Sequence, residues 1–457
     1  MPFHIYDTLQ RAKVELSTRD PGKLSMYVCG PTVYDEPHVG HGRTATVFDT
    51  IRRYFEWRGL DVTFVSNVTD VDDKIIARAA KTGTTEVELA HQFERVWWEQ
   101  MDRLSVRRPD HAPHATEYIG PMLDLIAQLL DRDHAYVVEG SGVYFDVVSY
   151  PDYGALPHRT LAQLLDSAGA RVEVDAAKRN PVDFALWKVA KAGEPAWDSP
   201  WGRGRPGWHV ECSAMSLQLL GEDFDLHGAG EDLVFPHHEN ERAQAEASGH
   251  PFARHWLHSG MVEVGGEKMS KSLGNFTTLR EALDAHGPRA FRLAVLQTHY
   301  RKAMELGDRE LAAAAGGLER LDSLQRRAAR LGLAASHDLD DATAARFRDA
   351  MDDDFGTPEA LAAIFDAVTA ANRALDDEDV DRATALIETV TTLTGVLGIE
   401  TGEVEQGSDA EIDALVAQRD AARLAKDFGA ADRIRAALAE RGIVLEDTPT
   451  GTAWRRA

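Results

Sequence analysis

Residues 26–58 read MYVCGPTVYDEPHVGHGRTATVFDTIRRYFEWR, and the fold is decided by how this stretch changes period. Met26, Tyr27, Val28 and Cys29 form a short apolar run of strand type. A loop with Gly30, Pro31 and Asp35 follows, and then Val47, Phe48, Ile51, Tyr54 and Phe55 recur at helical spacing. Strand, loop and helix in that order make a mononucleotide site. The first turn of a helix presents unpaired N–H groups and the positive end of its dipole, so phosphates settle there. Gly40 and Gly42 let a ligand approach the backbone closely.

The pattern extends outward from this stretch. After Gly59, residues 60–67 (LDVTFVSN) are rich in β-branched and aromatic side chains and read as a second, buried strand. Strand, helix, strand implies a parallel sheet with a right-handed crossover, hence an α/β fold. Residues 68–76 (VTDVDDKII) start another helix, whose dipole Asp70, Asp72 and Asp73 suit. Residues 85–165 are expected to be mostly helical, with Trp97 and Trp98 in the core. A strand pair is expected at 135–148, where Tyr136, Val138, Val143, Phe145 and Val147 alternate. Beyond Phe291 the composition turns to Ala, Leu, Arg and Asp/Glu at helical period, as in 311–333 and 343–375, with a break at Gly356, Thr357 and Pro358. This reads as an all-α bundle. A low-complexity linker at 400–408 leads to two short helices between Ala410 and Arg441.

The chain of 457 residues is 44% hydrophobic, enough for two to four domains with sizeable cores. No run approaches the roughly 20 apolar residues that cross a bilayer, and the start lacks a signal region, so no membrane association and a cytoplasmic location are expected. Two cysteines allow at most one disulfide. The net charge of −25 argues, on its face, against a nucleic-acid partner, but charge acts locally. The acidic runs at 352–354 and 376–379 are solvated helix faces, whereas residues 417–441 carry six Lys/Arg against four Asp/Glu. Trp454, Arg455 and Arg456 then suit either an unstacked base with its phosphates or the closing of a small C-terminal core.

Three motifs carry chemistry. His38, Val39, Gly40 and His41 stand before the helix; alone they make a polar turn as readily as a phosphate site. Lys268, Met269, Ser270, Lys271 and Ser272 follow Gly265 and Gly266, surroundings that suit a loop closing on a ligand; alone the lysines are solvated charge. His237 and Glu241 are four apart, so on a helix beginning after Pro236 they share a face and either bind one ion or form a surface pair. With Cys29 and Cys212 they supply two sulfurs, a nitrogen and a carboxylate, a donor set suited to zinc.

HVGH resembles the HIGH motif of class I aminoacyl-tRNA synthetases, and KMSKS matches their second signature without departure, in the expected order. Within that class the chain resembles the bacterial cysteinyl-tRNA synthetase family over nearly its whole length. The matching stretches are MYVCGPTVYD with HVGHGR, then NVTDVDDKI, GRPGWHVECSAM, DLHGAGEDLVFPHHENE, KMSKSLGNF and GIVLEDTPTGTAWRR. Ala229 stands where the family usually has Gly, which strains the backbone if φ is positive there. Val39 for Ile is conservative.

The resemblance implies a Rossmann-type parallel-sheet catalytic domain with a connective insertion, followed by an all-α helical bundle and a small C-terminal domain. The implied boundaries are 1–115 and 206–290 for the two catalytic halves and 116–205 for the insertion. The bundle on the tRNA stem and anticodon side then spans 291–400, and a linker with an anticodon-binding-type domain spans 401–457. The implied activity is ATP-dependent ligation of L-cysteine to tRNA-Cys, forming AMP and pyrophosphate, in a monomer. His38, His41, Lys268 and Lys271 are then catalytic, and Gly40 joins His38, His41 and Lys271 in holding ATP with its Mg2+. Cys29, Thr69, Trp208 and Asp232 face the amino acid. Cys29, Cys212, His237 and Glu241 hold one Zn2+ per chain, which would consume both cysteines. A rival is the cysteine ligase of mycothiol biosynthesis, which acts on glucosaminyl-inositol with the same zinc site and signatures but lacks the C-terminal segment. A catalytically dead RNA-binding relative is opposed by the intact His38, His41, Lys268 and Lys271.

Physical chemistry then supplies a mechanism for the implied activity. Cysteine and serine differ by one atom, and an apolar pocket separates such analogues by only about 1–3 kcal/mol. The insertion leaves little room for an editing domain, so discrimination falls to the synthetic site. Zinc binds thiolate far better than a neutral alcohol and lowers the thiol pKa. In the first step the carboxylate of cysteine attacks the α-phosphate of ATP, with His38, His41, Lys268 and Lys271 stabilising the developing charge. A terminal ribose hydroxyl of tRNA then attacks the adenylate.

Overall fold

Strands Lys23–Val28 (β1), Asp61–Val65 (β2), Leu226–Gly230 (β3) and His255–Ser259 (β4) form one parallel sheet in the order β4-β3-β1-β2. They belong to a computed structural model that describes residues 2–169, 178–264, 267–268, 277–333, 338–400, 410–448 and 451–456. In β1, Met26 pairs with Phe64 of β2 on one side and with Leu226 of β3 on the other. The five residues from Leu24 to Val28 are all buried, as in a strand covered on both faces, and the one polar member, Ser25, donates to Asp225 at 2.7 Å. The chain goes from β1 to β2, and returns to the far side of β1 only after the insertion. That reversal opens a crevice outside the carboxyl ends of β1 and β3, where open α/β sheets take their ligands.

The helix after β1, Val39–Trp57 (α1), starts well before its apolar repeat because two histidines cap it. His38 is extended (φ −101°, ψ 170°) and accepts from the His41 N–H at 3.4 Å, while the His41 ring accepts from the His38 N–H at 3.2 Å. This is a capping box built from imidazoles. The apolar positions Val47, Phe48, Ile51, Tyr54 and Phe55 are buried, as their spacing requires. Gly42 corrects one expectation. A Cβ there would meet Leu279 Cδ1 at 2.6 Å and Phe291 Cζ at 3.0 Å, so this glycine admits neighbouring helices and not a ligand.

The second half of α1 is fastened to the helical region that follows the catalytic sheet. Buried Arg292 donates to Asp49, to Leu397 O (2.8 Å) and to Leu104 O (3.0 Å). Tyr54 Oη donates to Asp352 at 2.6 Å, and Arg58 pairs with the same carboxylate. Helices Asp341–Asp352, Thr357–Asp376 and Val380–Val396, with the first part of Asp308–Arg330, supply the expected all-α region, and Pro358 sits in the first turn of the second.

Other expectations change on inspection. Of the three acids near the helix Asp73–Thr82, Asp72 is the cap, accepting from Lys74 N–H at 2.8 Å. Asp73 pairs with Lys188 (2.6 Å) and Arg205, and Asp70 accepts from both N–H and Oγ1 of Thr116. Trp97 and Trp98, on helix Glu86–Arg103, are half-buried and line the crevice, and Trp98 also packs against a core cluster, that of Val33, Val68 and Phe93. Helical period marks their face without revealing what covers it. The insertion is a four-stranded antiparallel sheet, in which the expected pair Ala135–Val138 and Gly142–Phe145 is extended by Phe184–Val189 and Gly204–Pro206. Ala229 lies within β3, 1% exposed and not among the residues with positive φ, so its methyl group brings no backbone strain.

A second compact unit comprises residues 325–333 and 401–457. Its helices Ala410–Leu424 and Phe428–Glu440 are the two expected, but a hairpin of Ile443–Thr448 and Gly451–Arg456 follows that helical period did not foretell. Ile412, Val416, Leu438 and Ile443 make its core, and Trp454 packs against them with Nε1 donating to Asp413 at 2.6 Å. The expected linker lies, Glu400 aside, outside the described residues. Among the described residues no helix is long and apolar enough to cross a membrane.

Candidate active site and metal centre

The residues of the site come from the ends of the parallel strands and the helices beside them. Cys29 follows β1 directly, its N–H donating to Gly228 O of β3 at 3.1 Å. Helix Trp208–Leu220 (α2) carries Trp208, His209 and Cys212; His237 and His238 lie in a helical turn that runs directly into helix Glu239–Ala247 (α3), which carries Glu241. These elements bring one donor atom from each of Cys29, Cys212, His237 and Glu241 within 4.8 Å of one another. Cys29 Sγ lies 3.9 Å from Cys212 Sγ and 3.5 Å from Glu241 Oε1, and His237 Nε2 lies 3.0 Å from Glu241 Oε1. The spacing of four on a helix therefore does place His237 and Glu241 together.

The electrostatics of the cluster favour a cation. Burial pushes the Cys29 thiol well up, and Cys212 and Glu241 add to the effect. The hydrogen bond from Cys29 draws the Cys212 thiol down to about 6. Burial opposes the charge on Glu241, yet His237 and His227 hold its carboxyl well below the usual range. Burial also opposes a charge on His237, but Glu241 and Cys212 raise it to about 10. The donor set fits zinc. A tetrahedral ion with sulfur at about 2.3 Å spaces two sulfurs about 3.8 Å apart, close to the 3.9 Å between Cys29 and Cys212. The outer contacts are also those of ligating groups. Glu241 Oε2 lies 2.8 Å from His227 Nε2, and His237 Nδ1 lies 2.8 Å from His209 Nδ1.

Cys29, His227, His238 and Glu241 form a second group within the same 4.8 Å limit. His238 Nε2 is 3.3 Å from Cys29 Sγ, and its Nδ1 is 2.9 Å from His258 Nε2. The motif reading takes His238 only as a neighbour of His237 and assigns nothing to His227 or His258. The doubled histidine before ENE was the available signal; the register of β3 against β1 and β4, which opposes His227 to Tyr27 and Trp256, was not visible.

A cavity of about 460 Å3 opens beside the cluster. Cys29, His38, Gly40, His41, Trp208 and Asp232 all line it, so these sequence-derived site residues share one space. The His38 and His41 rings stack at 3.7 Å at the N-terminus of α1, and Trp208 stacks on His237 at 4.2 Å. Lys74, between the Tyr34 and Trp208 rings at 5.3 and 5.9 Å, also faces the cavity and was not singled out from sequence. Thr69 is placed differently: it is 1% exposed and donates to buried Glu211 at 3.0 Å, behind the wall. The backbone of Lys268 pairs with Glu263; Lys271 lies outside the described residues.

Comparison with known proteins agrees with this arrangement. Residues 15–316 match the tRNA synthetases class I (C) catalytic domain, residues 346–401 the DALR domain, and residues 405–455 the cysteinyl-tRNA ligase anticodon binding domain. The chain superposes on Mycobacterium tuberculosis methionyl-tRNA synthetase in complex with methionyl-adenylate with a TM-score of 0.60 at 17% identity, covering 82% of this chain and 90% of that one, a likeness of fold. The cysteine–tRNA ligase of Alkalilimnicola ehrlichii is 50% identical, over 99% of this chain and 100% of its own. That of Halorhodospira halophila is 49% identical, over 99% of both. A C-terminus that matches an anticodon binding domain does not favour the glucosaminyl-inositol acceptor. Kinship over the whole length, with a class I catalytic domain spanning most of the chain, establishes that it belongs to the cysteine–tRNA ligase family of class I tRNA synthetases.

Proposed function

We propose that the chain joins L-cysteine to tRNA-Cys through a cysteinyl-adenylate, consuming ATP with Mg2+, and that Cys29, Cys212, His237 and Glu241 hold a zinc ion that reads the substrate thiol. The observation that carries this reading is the convergence of those four donors beside the switch-point cavity. Bound there, zinc supplies a soft Lewis acid that prefers thiolate to a neutral alcohol, where shape alone gives only about 1–3 kcal/mol between cysteine and serine. The set with Cys212 is favoured over that with His227 and His238 because it brings two sulfur donors, 3.9 Å apart, to one point.

The remaining work falls to side chains and backbone. His227 and His209 orient Glu241 and His237, and Trp208 and Asp232 wall the amino-acid end of the cavity. The start of α1 offers N–H groups and its dipole to the phosphates. His38 and His41 stabilise the α-phosphate as the carboxylate attacks it, forming the acyl–phosphate bond while the bond to pyrophosphate breaks. Lys268 and Lys271 neutralise the charge that leaves with pyrophosphate. The terminal ribose hydroxyl of tRNA then attacks the acyl carbon and AMP departs. In this reading residues 1–115 and 206–290 perform the chemistry, 116–205 form the insertion, 291–400 and 401–457 meet the tRNA stem and anticodon, and the chain acts as a cytoplasmic monomer.

Labelled cysteine and ATP, offered tRNA-Cys in one tube and glucosaminyl-inositol in another, test the reading. Label on the tRNA is expected. Label on the sugar alone, or on neither, would overturn it.

A further inference from the structure

Arg43, in the second turn of α1, is 1% exposed, and a cation buried that deeply needs partners. Its Nη1 donates to Met261 O at 2.7 Å, and its Nη2 donates to Tyr300 O at 3.1 Å and to Lys302 O. Two of these carbonyls already accept from the main chain: Gly260 N–H donates to Tyr300 O (2.8 Å) and Met304 N–H to Met261 O (3.0 Å). Met261 immediately precedes strand Val262–Val264, which pairs with Glu267–Lys268 on one side and Met304–Glu305 on the other. One guanidinium therefore fastens the helix that begins at His38 and His41 to the base of the hairpin that ends in Lys268. The chain beyond the KMSKS motif is joined to the same helix start, through Val39 N–H to Thr277 O (3.3 Å) and Leu279 N–H to Pro37 O (2.8 Å).

We infer that Arg43 is a positioning residue for adenylate formation, holding the base of the Lys268 hairpin in register with the His38–His41 end of α1. It touches no reacting atom; its planar fork spans three carbonyls in a way that a lysine ammonium does not reproduce. The inference rests on the adenylation reading above. A misplacement of the ATP-side groups costs rate without removing the amino-acid site.

The test compares Arg43→Lys with the wild-type holoenzyme. In ATP–pyrophosphate exchange its kcat/KM for ATP is expected to fall about 10- to 100-fold. Cysteine binding without ATP and zinc content should stay within about twofold, which a general structural loss would not allow. Because Arg43 acts through the hairpin, adding Arg43→Lys to Lys268→Ala should cost less than about threefold further. Should Arg43→Lys melt below the assay temperature, Gly260→Ala strikes the same junction from the other side, since its Cβ would meet Lys302 O at 2.5 Å. The same ATP-selective loss is expected. Unchanged ATP kinetics, parallel loss of cysteine binding, or full multiplication with Lys268→Ala would overturn the inference alone. Absence of exchange in the wild-type protein would overturn the adenylation reading and this inference with it.

Discussion

Two buried polar clusters flank α1 and follow contrary rules. Around Arg292 every charge meets its opposite: Asp49 takes the Arg292 guanidinium, Arg53 Nε at 2.7 Å and the Arg107 N–H at 2.9 Å, while two backbone carbonyls and the Thr50 hydroxyl also accept from Arg292. Around Cys29, groups that repel one another when ionised are packed together, two thiols and a carboxyl with histidines behind them. Burial alone therefore does not mark a functional site. Mutual satisfaction makes a strut, and converging soft donors of one sign make a place for a cation.

The comparison breaks most directly at Cys212. Cys212→Ser is expected to lose most of its zinc and at least about 100-fold in cysteine-dependent pyrophosphate exchange, with near-native circular dichroism. Metal analysis beside exchange kinetics decides this, and full cysteine activation in a metal-free variant would sink the zinc role. Asp49→Asn tests the strut. It leaves Arg292 buried without its counter-charge, at a cost of about 3–5 kcal/mol in denaturant unfolding, with zinc content unchanged. Although burial pushes the Asp49 carboxyl up, Arg292 and Arg53 hold it below its usual value. Its contribution is thus present above an unfolded pKa of about 3.9 and is lost as pH falls through the lower folded value. Loss of zinc in Asp49→Asn would erase the distinction between the clusters.

The smallest effect is at His114, outside both clusters. Burial lowers its pKa, but Glu94, 3.1 Å from Nε2, raises it overall. Stability from the charged ring is fully present below about 6.5 and disappears as pH rises through the raised folded value. His114→Gln should therefore lower the melting temperature by about 1–2 °C at pH 6 and not at pH 9. An equal drop at both would assign the effect to packing.

The β1–α1–β2 unit, and with it a parallel sheet, was legible because period and breakers agreed, whereas β3, β4 and the start of α1 at Val39, inside the HVGH stretch, were not. The meeting of His237 with Glu241 was legible too, since a separation of four along one helix is enough to set it. What was hidden depends on contacts distant in sequence. Trp97 and Trp98 occupy an apolar face that reads the same whether a core or a cavity lies over it. Thr69 reads as a pocket hydroxyl until Glu211, from α2, is seen to occupy it. Gly42 depends on the Leu279 and Phe291 side chains beside it, Ala229 on a φ that its residue type does not fix, and the strand at 184–189 on pairing with Gly142–Phe145, distant in sequence.

The pairing of Met26 with Leu226 also has a consequence in time. During synthesis β1 and β2 emerge together, whereas β3 and the last metal-binding candidate, Glu241, follow only after the whole insertion has been made. At about 5–20 residues per second that wait is roughly ten to thirty seconds. Throughout it one edge of β1 has no strand beside it, and until Cys212 is made Cys29 has none of its three companions. The nascent chain must therefore stay soluble with an open apolar edge and a lone thiol until its second catalytic half arrives.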